Sequence, residues 1–210
     1  MKEFIEVKAS KASLAQRKLV CGVGINDAMY TVNNEGLCCP YYIQWHSIIQ
    51  RCYKFSKRKI YKGCYVHKEW HYFMNFRRWM ENQNWKNMYL DKDILILGNK
   101  EYGPKTCVFV TNHINTMFQQ TKLRKLPKGT HKQGKKYIAR CPDRTGIRKY
   151  IGIFNTLEEA NDMYIKAKAK VLADEFKSIA DTRVKDGLRR LLLELDKENK
   201  RKIIMLAQPI

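Results

Sequence analysis

The chain has 210 residues, and its 41 Lys and Arg outnumber its 20 Asp and Glu, which gives a formal net charge of +21. A chain of this length forms one or two small domains, and this excess of positive charge favours a polyanionic partner, first of all nucleic acid. The sequence has no run of about 18 apolar residues and no apolar N-terminal region, so it predicts neither a membrane span nor a signal peptide. We therefore expect a soluble, intracellular protein that is not secreted and does not bind a membrane.

The seven cysteines are an odd number and contain no Cys-x-x-Cys pair. Disulfide frameworks belong to secreted chains, and structural zinc sites have closely spaced ligand pairs. We therefore expect the cysteines to be reduced, buried thiols, and we do not expect them to bind zinc.

The N-terminal third predicts short elements followed by a helix. Residues 1–17 indicate a loose or short helical arm, and 18–25 and 29–32 indicate strands, the second of them weak, before a turn at 33–36. After Pro40 a helix is predicted, because four apolar residues recur with helical spacing. These are Trp45, Ile48, Ile49 and Cys52.

Residues 54–62 form a basic loop with interleaved aromatic residues, which either follows a phosphate backbone or is simply solvated. A short strand at 63–66 and a helix over 67–80 are predicted next. On that helix, His67 and His71 are four residues apart. They either bind a metal or make ordinary hydrogen bonds.

The stretch 85–120 has the order strand, loop, strand, helix. The first strand covers 89–94, the second covers 107–110, and the helix begins at Thr111. Asp91 and Asp93 lie at the end of the first strand, and Asn115 lies near the helix start. Such oxygen ligands suit a hard divalent cation, which phosphodiester cleavage needs to offset charge on the scissile phosphate.

Residues 121–150 are the most basic part of the chain, with eleven Lys and Arg against one Asp. Three short strands are predicted, around 129–132, 136–141 and 148–154. A helix capped by Asn155 and Thr156 follows, with Ala160 and Tyr164 on its apolar face. The last helix has an apolar stripe from Leu188 to Leu195, which either docks on the protein or makes a homodimer contact.

Two groups of residues form a wider pattern across 61–115. The first group is Tyr61-Lys62-Gly63-Cys64, Glu69-Trp70 and Asn75-Phe76, and the second is Asp91-Lys92-Asp93, Gly98-Asn99-Lys100, Tyr102-Gly103-Pro104, Thr106 to Val110, and Asn112 to Asn115. This pattern resembles the ββα-metal core of phage-type HNH homing-like endonucleases.

The HNH resemblance implies that Asp91 or Asp93 holds a divalent metal from the first strand and Asn115 holds it from the helix. Mg²⁺ is the expected ion and Mn²⁺ the alternative. The family's general base is a His at the end of the first strand, where this sequence has Asp91-Lys92-Asp93. Either a carboxylate or a nearby histidine such as His113 takes that role, or the site is inactive.

The basic region carries a second resemblance, on Gly129, Tyr137-Ile138-Ala139, Tyr150 to Phe154, Asn155-Thr156 and Glu158-Glu159-Ala160. It is similar to the Apetala and ethylene-response-factor DNA-binding domain of plants, in which a three-stranded sheet enters the major groove. The resemblance implies DNA contacts by Lys128, His131, Lys132, Arg140, Arg148, Lys149 and Tyr150. Pro142 stands where that family often has a base-contacting Arg.

The expected fold is α+β. It combines a ββα-metal nuclease core with flanking helices and a small three-stranded antiparallel sheet backed by a helix. We expect an N-terminal region 1–120 with the core at about 60–120, a DNA-binding domain 121–182 and a C-terminal helix 183–210.

The expected function is metal-dependent, sequence-directed endonuclease activity on double-stranded DNA, in the cytoplasm of a bacterial host. The chain would act as a monomer or a homodimer. A non-cleaving DNA-binding regulator is the alternative, and RNA binding by the basic sheet is a third hypothesis.

Overall fold

The computed structural model describes residues 3–117 and 125–207, and the chain divides into the compact units Met1–Phe109 and Val110–Ile210. Lys122 and Arg124, two of the basic residues counted above, lie outside the described residues. The expected mixed α+β class is confirmed. Within the described ranges, no helix is both long enough and apolar enough to cross a bilayer.

The first unit is built from short elements. Its α-helices are α1 (Lys11–Ala15), α2 (Pro40–Ile49) and α3 (Phe73–Glu81), and its strands are β1 (Asn33–Asn34), β2 (Leu37–Cys38), β3 (Tyr65–Val66), β4 (Tyr89–Asp91), β5 (Glu101–Tyr102) and β6 (Val108–Val110), which ends one residue beyond the unit boundary. A π-helical turn covers Gln50–Lys54, and 3-10 turns cover Lys59–Tyr61 and Lys68–His71. The strands form three pairs, β1 with β2, β3 with β5 and β4 with β6.

The core of this unit forms around α2 and α3. The predicted apolar face of α2 is confirmed, because Trp45, Ile48 and Ile49 have no exposed surface and Cys52, in the turn that follows, is 2% exposed. The indole N–H of Trp45 donates to the carbonyl of Trp70 at 2.7 Å, which satisfies a buried donor and ties α2 to the next segment.

Three sequence predictions in this unit are wrong. The strands predicted at 18–25 and 29–32 are isolated bridges and turns, and the helix predicted over 67–80 is interrupted at the extended residue Tyr72. The interruption arises because Ile25 inserts there. Its N–H donates to the His71 carbonyl at 2.8 Å, and its own carbonyl accepts from the N–H of Phe73 at 2.9 Å.

The second unit contains α4 (Asn112–Met117), the strands β7 (Thr130–Gln133), β8 (Lys136–Pro142) and β9 (Arg148–Phe154), and the helices α5 (Leu157–Phe176) and α6 (Thr182–Ala207). The three strands are antiparallel in the order β7-β8-β9. The predicted three-stranded sheet backed by one helix is confirmed. Thr156 and Glu159 form a capping box at the start of α5, which ends strand pairing and begins the helix.

Helix α5 covers one face of this sheet. Ala139 and Cys141 of β8 pack against Ala160 and Tyr164 of α5 and Leu195 of α6. Side chains alternate between the two faces of a strand, so their neighbours in β8 belong to the opposite face.

Candidate nucleic-acid interface and carboxylate cluster

The side of the sheet opposite α5, which we call the outer face, contains most of the predicted DNA contacts. The register pairs His131 with Ile138, Arg140 with Tyr150, and Pro142 with Arg148, and residues paired in this way share a face. Arg140, Arg148 and Tyr150 are exposed and His131 is half-buried. The three strands contain no Asp or Glu, so the outer face is cationic.

A β-bulge maintains this arrangement. The register shifts between Ala139 and Arg140, so that Ala139 pairs with Gly152 and Arg140 pairs with Tyr150. Ile151, the extra residue between those partners, packs into the core under the sheet. A bulge changes which side chains share a face. Here it places both Tyr150 and Ile153 on the outer face, although they are three residues apart in β9.

The remaining predicted contacts lie elsewhere. Lys132 and Lys149 pair with Tyr137 and Cys141, so they belong to the face that α5 covers, although their own side chains are exposed. Lys128 precedes β7, and its ammonium group donates to the carbonyl of Met117 at 3.4 Å.

Ile138 and Ile153 are two further residues of the outer face, beyond the predicted DNA contacts. The register pairs them on the outer face, and Ile153 is 45% exposed. Ile138 is half-buried, so Ile153 supplies most of the exposed apolar contact area in this cationic surface. Strand alternation around Arg140 is the available signal, because Ile138 and Arg140 are two residues apart in β8.

The predicted metal ligand Asp91 ends β4 and is half-buried. Its Oδ1 accepts the backbone N–H of Asp93 at 2.7 Å and that of Ile94 at 2.8 Å. Burial raises the pKa of Asp91 above its ordinary value, and these two N–H donors oppose the increase. One oxygen of the carboxylate is therefore used to hold the turn after β4.

The second predicted ligand, Asp93, lies just after the strand and is exposed. The ammonium group of Lys92 is 2.5 Å from its Oδ1 and also donates to the carbonyl of Asn99 at 2.8 Å. Lys92 is 7% exposed. The side-chain amide of Asn99 in turn donates to the Lys92 carbonyl at 2.7 Å. These two residues therefore close the loop between β4 and β5.

Asn115 and His113 lie on α4, in the second unit. Asn115 is half-buried. His113 has its Nε2 atom 3.8 Å from Oε1 of Glu175, and burial lowers the pKa of His113 while Glu175 opposes the decrease. The structure therefore places Asp91 and Asp93 together and surrounds His113 with residues of the second unit.

In this structure both carboxylates of the cluster already have polar partners. Lys92 already supplies a positive charge to Asp93, and Asp91 has committed one oxygen to backbone donors. Divalent cations require several oxygen ligands that are free to coordinate. Among the described residues, no three His, Cys, Asp or Glu side chains are grouped as metal ligands.

Comparison with known proteins gives no match to a protein-family model, to a curated protein or to a solved structure.

Proposed function

We propose that this protein binds double-stranded DNA through the outer face of the β7–β9 sheet. The observation that carries the proposal is the grouping of exposed Arg140, Arg148 and Tyr150 in three strands that contain no carboxylate. Arginine binds both phosphate oxygens and the major-groove edge of guanine through paired N–H donors. Neighbouring apolar and aromatic side chains add contact with thymine methyl groups and sugars.

Removing Arg140 and Arg148 together, by Arg140→Ala and Arg148→Ala, is expected to weaken DNA binding by roughly 10- to 100-fold. Each lost contact costs about 1 kcal/mol or more and lowers the slope of log affinity against log salt by about one. The measurement is fluorescence anisotropy of a labelled DNA duplex over a salt series.

The matched control is Lys166→Ala with Lys170→Ala, which removes the same charge from exposed positions on α5. This helix packs on the other face of the sheet, so the control should lose less than about threefold in affinity. Equal losses in the two double variants would show that net charge, and not the outer face, drives binding.

We also propose metal-dependent cleavage of DNA as a second candidate function. The observation that favours it is the element order β4, loop, β6 and α4, with Asp91 at the end of β4 and Asn115 on α4. Cleavage would require a cation to bind the Asp93 carboxylate in place of the Lys92 ammonium group. Without such exchange the chain is a non-cleaving DNA-binding regulator.

The cleavage proposal predicts nicking of supercoiled plasmid in Mg²⁺ or Mn²⁺ but not in EDTA. Asp91→Ala, Asp93→Ala and Asn115→Ala should each slow nicking by at least about 100-fold, since a cation supplies several kcal/mol of charge stabilisation. Glu3→Ala removes an exposed carboxylate elsewhere and should leave the rate unchanged. Salt-sensitive binding without any nicking would leave the regulator as the function.

A further inference from the structure

The first unit contains a basic turn, at residues 51–62, that is not part of the outer face of the sheet. Residues 51–62 contain six Lys and Arg and no Asp or Glu. The segment begins in the π-helical turn Gln50–Lys54, in which the N–H of Phe55 donates to the Gln50 carbonyl at 2.8 Å. Such wide turns are rare and occur often at functional sites.

The π-helical turn separates an inner side from an outer side. On the inner side Cys52 is 2% exposed, and the hydroxyl of Tyr53 accepts the backbone N–H of Val66 at 3.2 Å. Because these residues anchor the turn to the core, the following cations extend into solvent. Lys54, Lys57 and Arg58 are all exposed.

The ring of Phe55 holds two of these cations close together. The guanidinium carbon of Arg58 lies 4.5 Å from the ring centroid and Nζ of Lys54 lies 5.7 Å from it, so the two groups are no more than about 10 Å apart. That separation is within about one Debye length at 0.1 M salt, so their fields add. The aromatic face compensates in part for their repulsion.

Among the described residues, no carboxylate forms an ion pair with this cluster. In the described part of the first unit, the ion pairs are those of Arg77 with Glu6 and Glu81 and of Lys92 with Asp93. Lys54, Lys57 and Arg58 take part in none of them. Their charge is therefore available to an external anion.

We propose that Lys54, Lys57 and Arg58, supported by Phe55, form a second contact with the phosphate backbone of double-stranded DNA. This inference rests on the proposed function for its choice of partner, but it uses a different unit of the chain. A guanidinium held against a ring can offer two parallel N–H groups to one phosphate. Phosphate contacts carry no base information, so this patch adds affinity without sequence preference.

The test is the triple variant Lys54→Ala, Lys57→Ala and Arg58→Ala in the full chain, measured with a labelled DNA duplex over a salt series. The slope of log affinity against log salt should fall by about three, because each phosphate contact contributes about one. Affinity at about 0.1 M salt should fall at least tenfold.

The charge-matched control is Lys11→Ala, Lys18→Ala and Lys86→Ala, three exposed lysines of the same unit with no carboxylate partner among the described residues. It should change the slope by less than about one. Phe55→Leu keeps every charge but removes the ring, and it should weaken binding several-fold. Tryptophan emission, which reports on the first unit alone because all four Trp lie there, verifies that each variant is folded.

Equal slopes for the triple variant and its control would overturn this inference. If the Arg140 and Arg148 double variant still lost affinity in that case, the proposed function would stand without the second contact. Failure of the wild type to bind DNA would refute both proposals. Equal competition by an RNA duplex of the same sequence would overturn the choice of DNA as partner.

Discussion

Replacing Gly129 by alanine is expected to unfold the sheet-containing unit at a much lower urea concentration than the wild type requires. Gly129 has φ +88, which L-residues with a side chain rarely adopt, and a Cβ atom there would lie 2.1 Å from the ring of Tyr164. That ring is 1% exposed and packed in the core, so it has no room to move. Backbone strain and overpacking together should cost about 3–5 kcal/mol, a large share of the 5–15 kcal/mol that stabilises a typical domain.

Gly134→Ala is the matched control for this prediction. Gly134 also has a positive φ, +59, but a Cβ atom there meets nothing within 4 Å. Only the backbone cost of about 1–2 kcal/mol should remain. Far-UV circular dichroism during urea unfolding measures the difference, and equal midpoints for the two variants would contradict the close contact between Gly129 and Tyr164.

Asn199→Ala should be the second most damaging change, at about 2–4 kcal/mol. The Asn199 side chain is 1% exposed and joins three parts of the second unit. Its Oδ1 accepts the N–H of Lys128 at 3.0 Å, and its Nδ2 donates to Oδ1 of Asn161 at 2.8 Å. Alanine leaves the N–H of half-buried Lys128 and the amide of buried Asn161 without their partner, and an unsatisfied buried group costs about 1–3 kcal/mol.

Two further variants sharpen this test. Lys197→Ala removes an exposed side chain of the same helix, and its ion pair with Glu194 is worth about 0.5 kcal/mol or less. Asn161→Ala combined with Asn199→Ala should cost less than the sum of the single changes, because the two side chains share a hydrogen bond. Additive losses in the double variant would show that this bond does not hold α6 in place.

The candidate sites were predictable to different degrees. Strand alternation places Ile138 and Arg140 on one face of β8, but the register and the bulge at Ile151 that bring Tyr150, Arg148 and Ile153 to the same face required the structure. The carboxylate cluster was less accessible. Asp91 and Asp93 have the residue types and spacing of metal ligands, but only the tertiary contacts show that Lys92, between them, turns inward to Asn99.

Short-range sequence patterns by themselves determined several helices and strands of this protein. Helical spacing identified the buried face of α2, turn residues delimited three strands, and Thr156 with Glu159 marked the start of α5, because these signals act over a few residues. Tertiary structure alone decided the break at Tyr72, where Ile25 from a distant segment pairs with the backbone, and the position of α6, which Asn199 ties to Asn161 and Lys128. Such contacts join residues far apart in the chain, so no periodicity or local propensity encodes them.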